Sequence, residues 1–295
     1  MTILVTGATG RVGRHLVDQL ISRDADFRVL TRDPANAGFP AGVKVIKGDL
    51  LDIHSLRAAF SGISTLFLLN AVTADEFTQA IITLNIAREC GIERVVYLSV
   101  FDADGAVNVP HFAVKSGAER MLKAMNFSAT ILRPTYFIDN EMLFRDAIVN
   151  HGIYPMPIGN VGLAMVDTRD IAEVAAIELM RREQAAGKLP LETINLVGPD
   201  TLTGTQAAAV WADVLGRPVS YAGDNPDAFE ANMASFMPAW MAYEMRLMAE
   251  RFVSEGMIHL EGDRERLVTL LGRPLRSYRD FAATLADGVR QSTEG

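Results

Sequence analysis

The chain has 295 residues, of which 49% are hydrophobic, enough for a substantial core in one large or two modest domains. A formal net charge of -8 without any cluster of Lys and Arg excludes a general nucleic-acid surface, and the single cysteine, Cys90, excludes an intrachain disulfide and a cysteine-based zinc site. No basic segment precedes a long apolar run and the first residues already read as a strand, so no signal peptide or membrane span is expected, the expected location is the cytoplasm, and Cys90 is expected to pack a helix.

Ile3, Leu4 and Val5 form a short apolar run leading through Thr6 into Gly7-Ala8-Thr9-Gly10-Arg11-Val12-Gly13. A helical pattern follows, with Val12, Leu16 and Leu20 on one face and Val17 and Ile21 beside it. Glycines between a buried strand and a helix are the context of a dinucleotide fingerprint. Gly7 allows the tight turn, Gly10 admits a pyrophosphate to the backbone, and Gly13 lets helix and strand pack closely. The helix N-terminus offers free N–H groups and a positive dipole end. Gly7, Thr9, Gly10, Arg11, Val12 and Gly13 are therefore candidate cofactor contacts, against the alternative of a merely structural turn.

Further strands are predicted at 27–31, 43–47, 65–69, 94–99 and 128–133, with helices over 52–60, 74–90 and 111–125. This alternation predicts an α/β protein with a parallel, doubly wound sheet and a dinucleotide lying across the carboxyl ends of its strands. After Asn150 the rhythm changes to a Gly- and Pro-rich stretch, a strand-like Leu163 to Val166 and a helix. The expected division is a dinucleotide-binding domain over 1–152 and a smaller, mostly helical substrate region over 153–295, with a strand near 193–197 returning to the main sheet. Helices are expected over 202–215 and most of 226–287.

An NAD-preferring site carries an acidic residue at the end of the second strand. Here the sequence reads Thr31-Arg32-Asp33. Arg32 has the planar donor fork suited to a 2'-phosphate and Arg11 can approach the same group, so NADP(H) is preferred, with NAD(H) also open. The alternative is a solvated Arg32 and an Asp33 that only caps a turn. At Gly48-Asp49-Leu50, Asp49 can accept from the adenine amino group or cap the helix starting near Asp52.

With these residues in place, the chain resembles the NmrA-like branch of the atypical short-chain dehydrogenase/reductases. The matching pieces are the glycine turn, Thr31-Arg32-Asp33-Pro34, Gly48-Asp49-Leu50, Tyr97-Leu98-Ser99, His111-x-x-x-Lys115, Leu132-Arg133-Pro134-Thr135-Tyr136-Phe137 and Asp167-Thr168-Arg169-Asp170-Ile171-Ala172. The resemblance implies a Rossmann fold and a nicotinamide cofactor, with Asp49, Leu50, Asn70 and Ala71 toward the adenosine half. It places Ser99, Val100 and Phe101 toward the nicotinamide ribose and Pro134, Tyr136 and Phe137 behind the nicotinamide ring. It implies an NAD(P)H-dependent reductase of quinones, azo dyes or triphenylmethane dyes, or a non-catalytic regulator that binds the dinucleotide as a redox signal.

Ordinary short-chain dehydrogenases use Tyr-x-x-x-Lys, and none of the six tyrosines here has a lysine four residues later. The equivalent stretch is His111-Phe112-Ala113-Val114-Lys115, whose spacing puts His111 and Lys115 on one helix face. Lys115 can keep the ribose role and donate a proton; His111 can act as acid or base, or else cap the helix or face solvent. Hydride delivery to a small aromatic or quinone-like acceptor tolerates this weakened relay, whereas sugar-nucleotide epimerisation, a disfavoured third reading, does not. Candidate substrate contacts are Phe101, His111, Tyr136, Phe137 and Trp240, the last in a stripe of methionines and aromatics broken at Pro238. A core or subunit contact is the alternative for that stripe, which leaves a homo-oligomer open; no membrane partner and no metal are expected.

Overall fold

The computed structural model describes residues 2–293. In chain order the elements are Ile3–Val5 (β1), Arg11–Ser22 (α1), Phe27–Thr31 (β2), Lys44–Lys47 (β3), Ile53–Phe60 (α2), Thr65–Leu68 (β4), Glu76–Glu89 (α3), Arg94–Leu98 (β5), Pro110–Ala124 (α4) and Ser128–Pro134 (β6). A 3-10 helix, Ile138–Phe144, follows, then Arg145–Val149 (α5), Ile153–Tyr154 (β7), Thr168–Glu183 (α6), Glu192–Leu196 (β8), Gly204–Leu215 (α7) and Ser220–Tyr221 (β9). The chain continues through Pro226–Met233 (α8), Ala239–Glu255 (α9), Asp263–Leu271 (α10) and Tyr278–Thr293 (α11).

Seven strands form one sheet in the order β3-β2-β1-β4-β5-β6-β8, and every pairing from β3 to β6 is parallel. The order reverses between β1 and β4, so the sheet is doubly wound in the Rossmann manner, with the switch point beside the glycine turn. Strand alternation sorts the side chains. Leu4, Leu30, Leu66, Leu68, Val95, Tyr97 and Ile131 join residues of α2, α3 and α4 in one core, while α1 packs against α6, which also lies along β4 and β5.

The α6 side is partly polar. Arg182 is fully buried and donates to Thr130 Oγ1 (2.6 Å), Ser128 Oγ (3.0 Å) and the carbonyl oxygens of Ala129 (2.6 Å) and Pro190 (3.1 Å). Burial pulls its guanidinium down to about 10. A charge this deep is tolerable only when its donors are satisfied, so Arg182 reads as a structural rivet between helix and sheet.

The chain divides into two compact units: Met1–Val107, His111–Arg133 and Thr168–Asn195 form one, and Asn108–Pro110, Pro134–Asp167 and Leu196–Gly295 the other. The units interleave along the chain, because it returns to build α6 and then β8, the strand expected near 193–197 to rejoin the main sheet. Leu163 to Val166 makes no strand; Leu163 bridges Leu202 and Met257, and Val166 bridges Phe137. Cys90 packs no helix: it is the exposed C-cap of α3. No helix among the described residues is long and apolar enough to cross a membrane.

Candidate functional site

In the first unit, the end of β1 is tied to the end of β4 by one hydroxyl. Thr6 Oγ1 donates toward the carbonyls of Phe67 (3.2 Å) and Leu69 (3.0 Å) and accepts from the Leu69 amide (2.9 Å). The chain then turns at Gly7 with φ +64, where a Cβ would overlap the Leu69 side chain. The turn closes through the Gly10 amide on the Gly7 carbonyl at 3.1 Å. A Cβ on Gly13 would overlap that same carbonyl oxygen and lie 2.6 Å from Ala8 Cα, so α1 can approach the turn only with glycine there. Gly10 is the N-cap of α1 and has no side chain to satisfy the first-turn amides, which leaves them to an anion.

Asn70 follows β4 beside this turn. It is 8% exposed, and neither Oδ1 nor Nδ2 of its amide has a hydrogen-bond partner. A buried amide with no partner costs about 1–3 kcal/mol, so its donor and acceptor are kept for something that binds. A glycine cradle with uncapped amides and an unpartnered amide at the switch point fit a dinucleotide. Ala71 beside Asn70 is exposed.

Toward the adenosine end, Arg11 and Arg32 are both exposed, and Arg32 acts electrostatically on Asp75. The Asp33 carboxylate accepts from Asn36 Nδ2 (2.7 Å) and the Asn36 amide (3.4 Å), and the Asn36 side chain holds it below the usual carboxylate range. Asp33 therefore caps a turn, and Arg32 at the end of β2 is exposed. Asp49 Oδ1 accepts from the Leu51 amide (2.9 Å), while the N-cap of α2 is Asp52, which accepts from the His54 and Ser55 amides. Leu50 is half-buried next to it.

Lys115 on α4 forms an ion pair with Glu76 in the first turn of α3, the two side chains being 11% and 2% exposed. His111 is buried and does not face solvent; its ring sits edge-on to Phe112 at 4.8 Å. Ser99 at the end of β5 donates to Glu119 Oε1 (2.5 Å), whose carboxylate also takes Arg133, which in turn donates to Asp104 Oδ2 (2.8 Å). The two carboxylates hold the Arg133 guanidinium firmly charged, raising it above its ordinary value. The Ser99 hydroxyl is thus committed inside the protein; Ser99 and Phe101 are buried and Val100 is half-buried. Tyr97, pointing to the same side from β5, has a hydroxyl with no hydrogen-bond partner. Burial and the charges of Glu76 and Glu119 push this phenol well above its usual range. Glu76, Glu119 and Asn70's vacant amide emerge only from tertiary packing. The sole sequence sign for Glu76 is an acid in the first turn of a helix.

In the second unit, Pro134 and Tyr136 are buried and Phe137 is half-buried. The Tyr136 carbonyl accepts from the Val166 amide (2.9 Å), and its ring meets Phe252 edge-on at 5.7 Å. The methionine stripe divides as its proline requires: Met233 is buried in α8, Pro238 caps α9, and Trp240 on α9 is 41% exposed. Glu141 has no signature in the amino-acid pattern. Its carboxyl is fully buried and accepts from the Tyr154 hydroxyl at 2.8 Å, and burial pushes it up to about 8. Beside this group in electrostatic range, Tyr278 takes the Trp211 indole N–H at 2.8 Å.

The chain is 27% identical over 285 residues to an NAD(P)H azoreductase of Xenophilus azovorans, spanning 95% of this chain and 96% of that one. It is 26% identical over 294 residues to quinone oxidoreductase 2 of Escherichia coli strain K12, spanning 97% of each. The crystal structure of the Escherichia coli NADPH-dependent quinone oxidoreductase complexed with NADPH superposes with a TM-score of 0.85 at 24% identity, over 96% of this chain and 99% of that one, a likeness of fold. The NmrA-like family model matches residues 1–279, and the chain belongs to the NmrA-like family.

Proposed function

We propose that the chain is an NAD(P)H-dependent reductase, with NADP(H) preferred and NAD(H) accepted, acting in the cytoplasm on a small aromatic or quinone-like acceptor. The full-length similarity to an azoreductase and a quinone oxidoreductase supports the class. The observation that carries it is chemical: a diphosphate cradle stands with a lysine fixed in a buried ion pair, while no tyrosine precedes that lysine by four residues. Such a set serves hydride delivery better than reversible alcohol oxidation.

When bound, the cofactor supplies the hydride. Gly7, Thr9, Gly10, Arg11, Val12 and Gly13 hold its diphosphate through backbone amides, and Arg32 with Arg11 takes the 2'-phosphate. Asp49, Leu50, Asn70 and Ala71 serve the adenosine half. Ser99, Val100 and Phe101 line the nicotinamide ribose, where Lys115 orients the hydroxyls by charge-assisted donation. Lys115 and His111 are the residues assigned to hold or move the accompanying proton at the acceptor oxygen or nitrogen. Pro134, Tyr136 and Phe137 are assigned to the nicotinamide ring, and Phe101, His111, Tyr136, Phe137 and Trp240 to acceptor recognition.

The test is NADPH oxidation with a panel of quinones, azo compounds and aldehydes. Turnover with at least one quinone or azo acceptor is expected. Tight NADPH binding with no turnover on any acceptor would replace the enzyme by a dinucleotide-sensing regulator, and no binding of either nucleotide would remove both.

A further inference from the structure

No helix connects β2 to β3; residues 32–43 run as an irregular connection. Such a segment has to be anchored by side chains, because it has no ladder or helical bonds of its own. Its first half is closed locally by the Asp33–Asn36 turn and by the Ala37 amide on the Pro34 carbonyl at 3.4 Å. Its end is closed by the Val43 amide on the Pro40 carbonyl at 3.3 Å, and its middle, residues 37–39, is gripped by a residue of α1.

That residue is Arg14, in the first turn of α1. Its Nε donates to the Thr9 carbonyl at 3.2 Å, inside the glycine turn. Its Nη2 donates to the Ala37 carbonyl at 3.2 Å and its Nη1 reaches the Gly38 carbonyl at 3.5 Å. The guanidinium also lies over the Phe39 ring, 5.7 Å from its centroid. One planar fork therefore spans the two segments that carry Arg11 and Arg32. Lysine, a point donor on a flexible stem, cannot make this set of contacts at once.

We infer that Arg14 is a specificity-positioning residue, which clips the 33–39 segment to the glycine turn and so holds Arg32 and Arg11 at the spacing that grips a 2'-phosphate. The inference rests on the nicotinamide-cofactor reading above. Arg14 directs Nε, Nη1 and Nη2 each at a backbone carbonyl, and in this assignment it takes no direct part in phosphate binding. It acts through Arg32, so its effect appears on the cofactor that has the extra phosphate and hardly on the one that lacks it.

The experiment measures NADPH and NADH dissociation constants by calorimetry for the full chain and for Arg14→Met, Arg14→Lys, Arg32→Ala and the Arg14→Met/Arg32→Ala pair. Methionine keeps the aliphatic bulk over Phe39. Expected is about a tenfold loss for NADPH in Arg14→Met against less than about twofold for NADH, partial recovery in Arg14→Lys, and a double variant no weaker for NADPH than Arg32→Ala alone within about twofold. Equal losses for both nucleotides, no loss for either, or losses that multiply in the double variant would overturn the clip while leaving the reductase reading intact. A wild-type chain that binds neither nucleotide would remove that reading and the clip with it.

Discussion

Glu76 and Lys115 join the first turn of α3 to α4 through an ion pair from which water is nearly excluded. In such surroundings the ammonium needs its partner, because breaking a buried pair from one side costs about 3–5 kcal/mol. Glu76 is thereby a positioning residue for Lys115. Glu76→Gln is expected to lower stability by about 2–3 kcal/mol and to reduce kcat with the best acceptor about tenfold. Glu76→Asp, which keeps the charge, should recover more of the activity than of the melting temperature. Equal kcat in wild type and Glu76→Gln would show that Lys115 needs no such support.

The sequence made part of this site legible. The β1, glycine turn and α1 series could be read because a continuous apolar run, three glycines and a 3.6-residue periodicity all agree locally. The same holds for β4 and β5, whose burial on both faces writes unbroken apolar runs at 66–68 and 95–98. Leu163 to Val166 has the same local look but makes only isolated bridges, at Leu163 and Val166, which no local pattern records. Glu76, Glu119 and Glu141 stayed hidden for a related reason: an acid reads as surface until the fold supplies Lys115, Arg133 or Tyr154 opposite it.

Asn70 offers a second test, because a group kept unsatisfied for a ligand destabilises the free protein. Asn70→Leu, close in shape, is expected to raise stability without cofactor by about 1–3 kcal/mol and to weaken NADPH about tenfold. Thermal melts with and without NADPH read both effects. A variant that melts earlier than wild type without nucleotide would mean that the amide already stabilises the fold.

The glycines of the turn should separate by role. At Gly13 an added methyl meets backbone, which cannot move aside, so Gly13→Ala is expected to lower the melting temperature strongly. At Gly10 the nearest atom to a Cβ is the Gly7 carbonyl oxygen at 3.3 Å, a contact that a small adjustment relieves. Gly10→Ala should therefore fold with nearly wild-type stability and lose NADPH affinity, since its methyl stands where the diphosphate must approach. Parallel measurement of melting temperature and NADPH affinity for the two variants checks this, and identical profiles would contradict it.

Glu141 predicts a pH dependence of stability in which the sign is set by burial. In the unfolded chain the carboxyl titrates near its ordinary 4.5, whereas in the native protein burial holds its proton up to about 8. Between these values the native state binds more protons than the unfolded state, so this group's contribution is full below the unfolded value and declines as pH rises toward the native one, by up to about 1.4 kcal/mol per pH unit. Above the native value the carboxylate is charged in both states and the decline stops. Glu141→Gln still accepts from the Tyr154 hydroxyl but has no proton to lose, so it should track wild type in acid and exceed it increasingly toward pH 8. Urea unfolding of both proteins across that window measures the difference, in which the other titrating groups cancel. A constant offset between the two curves would mean that Glu141 keeps an ordinary acidity inside the fold.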